Sequence, residues 1–175
     1  MVIIGVVGRI GAGKHEFMAY VEKTFQFQAI YSSENSEILS PKSLSPEILE
    51  KWDKNLIIGP LLSLDLVKKL KKKPYFHLIY IESDVSVRFT NHTNKTNTKL
   101  SLESFLELDE KMARECKMKE IRSLATFEID NSTSSLKDFH KNIEENKKNI
   151  LRPLKPSWEQ YFLNIAFALR LRRNC

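Results

Sequence analysis

Four of the chain's five glycines, Gly5, Gly8, Gly11 and Gly13, crowd into its opening stretch, and only Gly59 lies elsewhere. Glycine serves where backbone must turn to positive φ or approach another group closely, so the first loop is the special place of this fold. Ahead of it runs Val2-Ile3-Ile4-Gly5-Val6-Val7, short, apolar and β-branched, as a strand buried on both faces requires. Behind it, Phe17, Met18 and Val21 fall on one face of a predicted helix over His15–Glu22. The loop reads Gly8-Arg9-Ile10-Gly11-Ala12-Gly13-Lys14-His15, the G-x-x-x-x-G-K form of a phosphate loop between strand and helix. In such a loop consecutive N–H groups curl around phosphate oxygens, the lysine adds a point charge and the helix N-terminus adds its dipole. Gly8, Arg9, Gly11, Ala12, Gly13, Lys14 and His15 are therefore the candidate binding residues, for ATP or another nucleotide. A glycine-rich turn without a ligand is the plainer alternative. The motif departs from its full form at His15, where a Ser or Thr hydroxyl would ligate Mg²⁺. Imidazole suits that hard, oxygen-seeking ion poorly, so weak Mg²⁺ dependence or none is expected.

The 175 residues suffice for one compact α/β domain with little left over. A net charge of +6 favours anionic ligands without demanding nucleic acid. Cys116 and Cys175 build neither a disulfide framework nor a C-x-x-C. The apolar start lacks a basic leader region and breaks at Arg9, and no apolar run approaches the roughly 20 residues of a membrane span. These features point to the cytoplasm, with the nucleus as the alternative.

Further strands are predicted at Phe27–Tyr31, Leu56–Ile58, Tyr75–Ile81 and Thr126–Ile129. Helical patterns lie between them: one after Ser45-Pro46-Glu47, one over Leu61–Leu70, and one capped by Ser101. This alternation predicts an α/β fold, a five-stranded parallel sheet with helices on both faces, with the ligand at the carboxyl end of the first strand. The run Lys68-Lys69-Leu70-Lys71-Lys72-Lys73 reads first as a cationic helix end stopped by Pro74, and second as a nucleic-acid or nuclear-localisation patch. The polar stretch Arg88–Lys99 reads as a mobile excursion, either a lid or a plain surface loop.

With the loop Gly8–Lys14, the strand spacing and Glu82–Phe89 ahead of that polar stretch, residues 1–150 resemble the nucleoside-monophosphate-kinase branch of P-loop NTPases. That resemblance implies phosphoryl transfer from ATP. The chain lacks the acidic residues such kinases carry at the second or third strand end, which here read Tyr31-Ser32-Ser33 and Ile58-Gly59-Pro60. Residues 151–175 make a second match. Arg152-Pro153, Pro156-Ser157-Trp158-Glu159-Gln160-Tyr161-Phe162, Ile165-Ala166 and Arg172-Arg173-Asn174-Cys175 resemble the opening of deoxycytidylate deaminases, whose fungal members carry a kinase-like domain ahead of this segment.

Deaminase chemistry needs a zinc-activated water held in an H-x-E … P-C-x-x-C pattern. None of His15, His77, His92 and His140 begins an H-x-E, and no P-C-x-x-C occurs. No zinc is expected in this chain, which ends where the zinc domain would begin: a fragment, or a product that lost its second half. Catalytic residues are left unassigned. Three readings stand: a nucleotide-binding kinase-like domain of a deoxycytidylate-deaminase-type protein, a working small-molecule kinase, and a non-catalytic interaction domain. Ser157 and Gln160 have the spacing of a capping box, so a helix is predicted from Trp158, apolar at Trp158, Tyr161, Phe162, Ile165, Ala166 and Leu169. This 157–171 helix is expected to dock in its own domain, on a deaminase domain or on a second chain.

Overall fold

The computed structural model describes residues 2–31, 55–73, 75–96, 100–133, 135–151 and 158–172. Its strands are β1 (Ile3–Gly8), β2 (Gln28–Tyr31), β3 (Leu56–Gly59), β4 (Phe76–Glu82) and β5 (Phe127–Asp130). The helices are α1 (Lys14–Phe25), α2 (Leu64–Lys71), α3 (Val85–Thr96), α4 (Leu102–Glu115), α5 (Met118–Ser123), α6 (Leu136–Glu145), α7 (Lys147–Leu151) and α8 (Trp158–Arg172). The helix expected after Ser45 lies outside the described residues.

All strand pairs are parallel, in the order β2-β3-β1-β4-β5, as the alternation of elements predicts. Because successive side chains of a strand leave on opposite faces, the apolar runs of β1 and β4 build two cores. Ile3, Val7, Leu78 and Tyr80 pack under α2 and α5, whereas Ile4, Val6, Ile79 and Ile81 pack under α1 and α6. β1 lies in the middle of the sheet, so its carboxyl end, the glycine loop, opens between the elements that follow the neighbouring strands.

The stretch Arg88–Lys99 is not a loop as far as it is described: residues 85–96 are helical. Its weak helix formers are anchored by tertiary contacts. Arg88 is buried, the Phe89 ring meets Phe105 of α4 edge-on, and Thr90, Thr93 and Thr96 spend their hydroxyls on carbonyls four residues back. Tertiary packing here overrides propensity. Leu61 and Leu62 also fall outside the helix expected for them, since α2 starts at Leu64 behind the cap Ser63. The lysine run does end that helix, with Lys68, Lys69 and Lys71 in its last turn and Lys71 Nζ donating to the Leu124 carbonyl at 2.7 Å.

α8 is described from Trp158 onward, and Ser157, its expected cap, lies outside the described residues. Its apolar residues are not confined to one stripe: Leu163 and Phe167 are exposed along with Trp158, Tyr161, Phe162, Ile165 and Leu169. Among the described residues, no crevice of the domain covers this helix.

Two helix caps provide an internal comparison. The Ser101 hydroxyl accepts from the Ser104 N–H at 3.1 Å, whereas Ser135, at the start of α6, makes no such bond. Ser101→Ala should cost about 1 kcal/mol and lower Tm by roughly 2–4 °C, and Ser135→Ala should leave Tm within about a degree. Thermal denaturation of both variants checks this, and equal shifts would contradict it.

Candidate functional site

The glycine loop is held from outside by its carbonyls. Arg88 Nη1 donates to the Ile10 oxygen at 3.3 Å, Asn91 Nδ2 to Gly11 at 3.0 Å and Asn131 Nδ2 to Ala12 at 3.0 Å. A trans peptide points its N–H opposite to its C=O, so these ties turn the N–H groups of Gly11 and Gly13 away from α3 and Asn131. Gly11 has φ 73° and Gly13 φ 92°. A Cβ at Gly11 would stand 2.1 Å from the Arg88 carbonyl oxygen, and one at Gly13 2.4 Å from Asn131 Nδ2. A side chain at Gly11 would push into the α3 backbone, and one at Gly13 would displace the Asn131 side chain, besides the strain of their positive φ. At Gly13 no side chain caps α1, which leaves the helix N-terminus to an anion.

Lys14 opens α1, and its Nζ donates back to the Arg9 carbonyl at 2.6 Å. Burial pushes this amine down to about 8; Asp109 opposes the shift, while Lys95 and Arg88 add to it. Arg9 turns from the loop toward α4, pairing with Asp109 at 3.1 Å and with Glu110 at the rim. The predicted residues Gly8, Arg9, Gly11, Ala12, Gly13, Lys14 and His15 all line one cavity of about 1190 Å³ at the carboxyl ends of the strands. One end of the cavity is bounded by Leu61, Leu66, Met112 and Met118, the other by Asn131, Ser135 and Phe139.

His15 is exposed, and its ring lies parallel to Tyr31 with centroids 6.1 Å apart. Among the described residues, those around the loop offer Mg²⁺ little of the oxygen ligation it prefers. The hydroxyl position holds this imidazole, β3 ends in Gly59, and Asp109 already takes two guanidiniums on one oxygen. Among the described residues no group of three or more His, Cys, Asp or Glu is arranged to hold a metal ion, and no helix is long and apolar enough to cross a membrane.

Sequence reasoning missed Asn91, Asp109 and Asn131 as parts of this site. Asp109 had a findable signal: it lies four residues after Phe105 and three before Met112, a carboxylate on the apolar face of its helix. Asn91 and Asn131 had none, because a polar residue in a turn-prone stretch looks the same whether or not a loop folds against it.

This fold is that of the P-loop kinases. A shikimate kinase from Acinetobacter baumannii in complex with shikimate matches with a TM-score of 0.56 at 16% identity, over 87% of this chain and 96% of the other. A deoxyadenosine kinase from M. mycoides with bound dATP matches at 0.55 and 14% identity, over 85% of this chain and all (100%) of the other. In sequence, the chain is similar over its whole length to two proteins named deoxycytidylate deaminase. They are from Schizosaccharomyces pombe, 25% identical over 100% of this chain, and Saccharomyces cerevisiae, 27% identical over 99%. The chain spans 59% and 57% of these relatives' lengths. No protein-family model matches it. The two likenesses agree with a kinase-like domain of a deoxycytidylate-deaminase-type protein.

The Lys14 amine gives the site a pH dependence. A bound polyphosphate favours the ammonium, so affinity should fall as pH rises through about 8, where the free amine loses its proton. Without ligand the sign reverses. An unfolded lysine keeps its proton up to 10.5, so this group makes the empty domain more stable as pH rises from about 8 toward 10.5. Titrating ATP at pH 7, 8 and 9 into the parent and Lys14→Arg checks the first claim: the parent should weaken stepwise while the arginine variant stays flat. Parallel profiles would refute it.

Proposed function

We propose that this domain binds a nucleoside polyphosphate by its phosphates on the Gly8–His15 loop. It acts as the nucleotide-binding module of a protein of pyrimidine deoxynucleotide metabolism of the deoxycytidylate-deaminase type. The observation that supports this best is the set of loop carbonyls tied back by Arg88, Asn91 and Asn131, beside a lysine held in the cavity.

The domain carries no zinc-deaminase chemistry of its own, since neither the H-x-E nor the P-C-x-x-C spacing occurs in the chain. Its phosphates are held without a metal ligand from the protein. Isothermal titration with ATP, with and without Mg²⁺, tests the reading. Binding should occur in both conditions with similar affinity, and Lys14→Ala should weaken it by about 1.5–3 kcal/mol, the range for a charge-assisted contact. A hundredfold gain from Mg²⁺ would show that the account of His15 is wrong.

Kinase chemistry is the second reading, favoured by a cavity that runs on past the loop to Leu66 and Met118, room for an acceptor beside a nucleotide. With no strand-end acid at β3 and no hydroxyl after Lys14, turnover of nucleoside monophosphates should be undetectable. A steady-state rate in the ordinary range of roughly 1–100 s⁻¹ would establish the kinase reading instead.

Residues 151–175 fit the same assignment as the first segment of a deaminase domain, with α8 seated on that domain or on a second chain. The exposed rings of Trp158, Tyr161 and Phe162 contact one another on α8, an apolar surface that seeks cover. Light scattering of the 175-residue chain and of one ending at residue 150 checks this. The longer chain should associate and the shorter stay monomeric; two monomers would rule out a second chain as the seat of α8.

A further inference from the structure

Asp109 stands on α4 facing the loop, and its side chain is 2% exposed. One oxygen, Oδ2, accepts a hydrogen bond from Arg88 Nη1 at 2.7 Å and pairs ionically, without hydrogen-bond geometry, with Arg9 Nε at 3.1 Å, while Oδ1 accepts no hydrogen bond. As a stabilising device this is poor, because a buried ion triad is often matched or bettered by apolar residues of similar volume. Its geometry serves the loop instead. Arg9 is part of the loop and lines the cavity, and Glu110 holds the other end of its guanidinium at the rim. Arg88 lies behind the loop, its Nη1 also on the Ile10 carbonyl and its Nε on the Ser83 carbonyl at 3.0 Å. One carboxylate thus fixes a cation at the mouth of the cavity and the backbone brace behind it. The charged and titratable groups acting on Lys14 are Asp109 and Cys116 from α4 and its end, and Arg88 and Lys95 from α3.

We propose that Asp109 is a positioning residue of the phosphate site, holding Arg9 as its second cation beside Lys14, so that the site selects a polyphosphate over a single phosphate. This rests on the nucleotide reading above. The sign of one substitution separates positioning from simple charge. Removing a negative charge beside an anion site strengthens anion binding by Coulomb's law alone, whereas releasing Arg9 and Arg88 from their anchor weakens it.

The test is calorimetric titration of sodium tripolyphosphate and of inorganic phosphate into the full chain, as parent, Asp109→Asn and Lys14→Ala. Asp109→Asn should bind tripolyphosphate about tenfold more weakly with its affinity for inorganic phosphate nearly unchanged. Unchanged or tighter tripolyphosphate binding overturns the proposal. So does a proportional loss for both ligands, which would mark general distortion of the loop. Should Asp109→Asn fail to fold, Arg9→Met, whose side chain is 26% exposed, carries the same expectation, and parental selectivity in it overturns the proposal. If Lys14→Ala binds both ligands like the parent, it is the phosphate-loop reading that fails. If Lys14→Ala is weak and Asp109→Asn is not, only the role of Asp109 falls.

Discussion

The arrangement of this domain depends on one bond between distant parts of the chain, Asn131 Nδ2 to the Ala12 carbonyl. Asn131 follows β5, an edge strand, while Ala12 lies in the loop after β1, the central one. A loop of three positive-φ glycines has little conformational preference of its own. It keeps one shape because side chains from outside satisfy its carbonyls. The same residue is anchored through its backbone, its N–H donating to the Glu82 carbonyl at 2.8 Å and its own oxygen accepting from Ser83 Oγ at 2.8 Å. β1, β4 and β5 are thereby locked at their carboxyl ends, and the cavity forms where they meet.

On that frame, charge is managed by enclosure. Three cations, Arg9, Lys14 and Arg88, converge at the glycine loop, and without a counter-charge their mutual repulsion would open it. Asp109 supplies the counter-charge, and the elements that carry these groups, α3 and α4, are held together by apolar contact. The Phe105 ring meets Phe89 edge-on and has the Arg88 guanidinium 5.8 Å above it. Packing thus places the charges, and the charges in turn fix the loop. The lowered Lys14 amine follows from that enclosure, since the burial that forms the site also penalises its ammonium.

Much of this was legible in the chain. A run of β-branched residues ending in clustered glycines and a lysine admits few folds, and strand, loop and helix fell where periodicity put them. The capping role of Ser101 was equally readable, because it is local. What failed to show was the helix over 85–96, whose Asn and Thr residues spell a loop until the burial of Arg88 and the contacts of Phe89 are counted. β3 ends in Gly59 without an acid, and a carboxylate, Asp109, reaches the loop from a helix instead.

The sequence by itself determined the parallel sheet, the place of the glycine loop and the imidazole at position 15 directly after its lysine, since each is a matter of residue type at short spacing. Tertiary structure alone decided which side chains brace the loop. Arg88, Asn91, Asp109 and Asn131 stand about 80 to 120 residues from it along the chain. Only the closing of β4 and β5 against β1 brings their donors and charge within hydrogen-bond reach. No periodicity records such contacts, because the physics that selects them, satisfying buried carbonyls and pairing buried charges, acts across the fold.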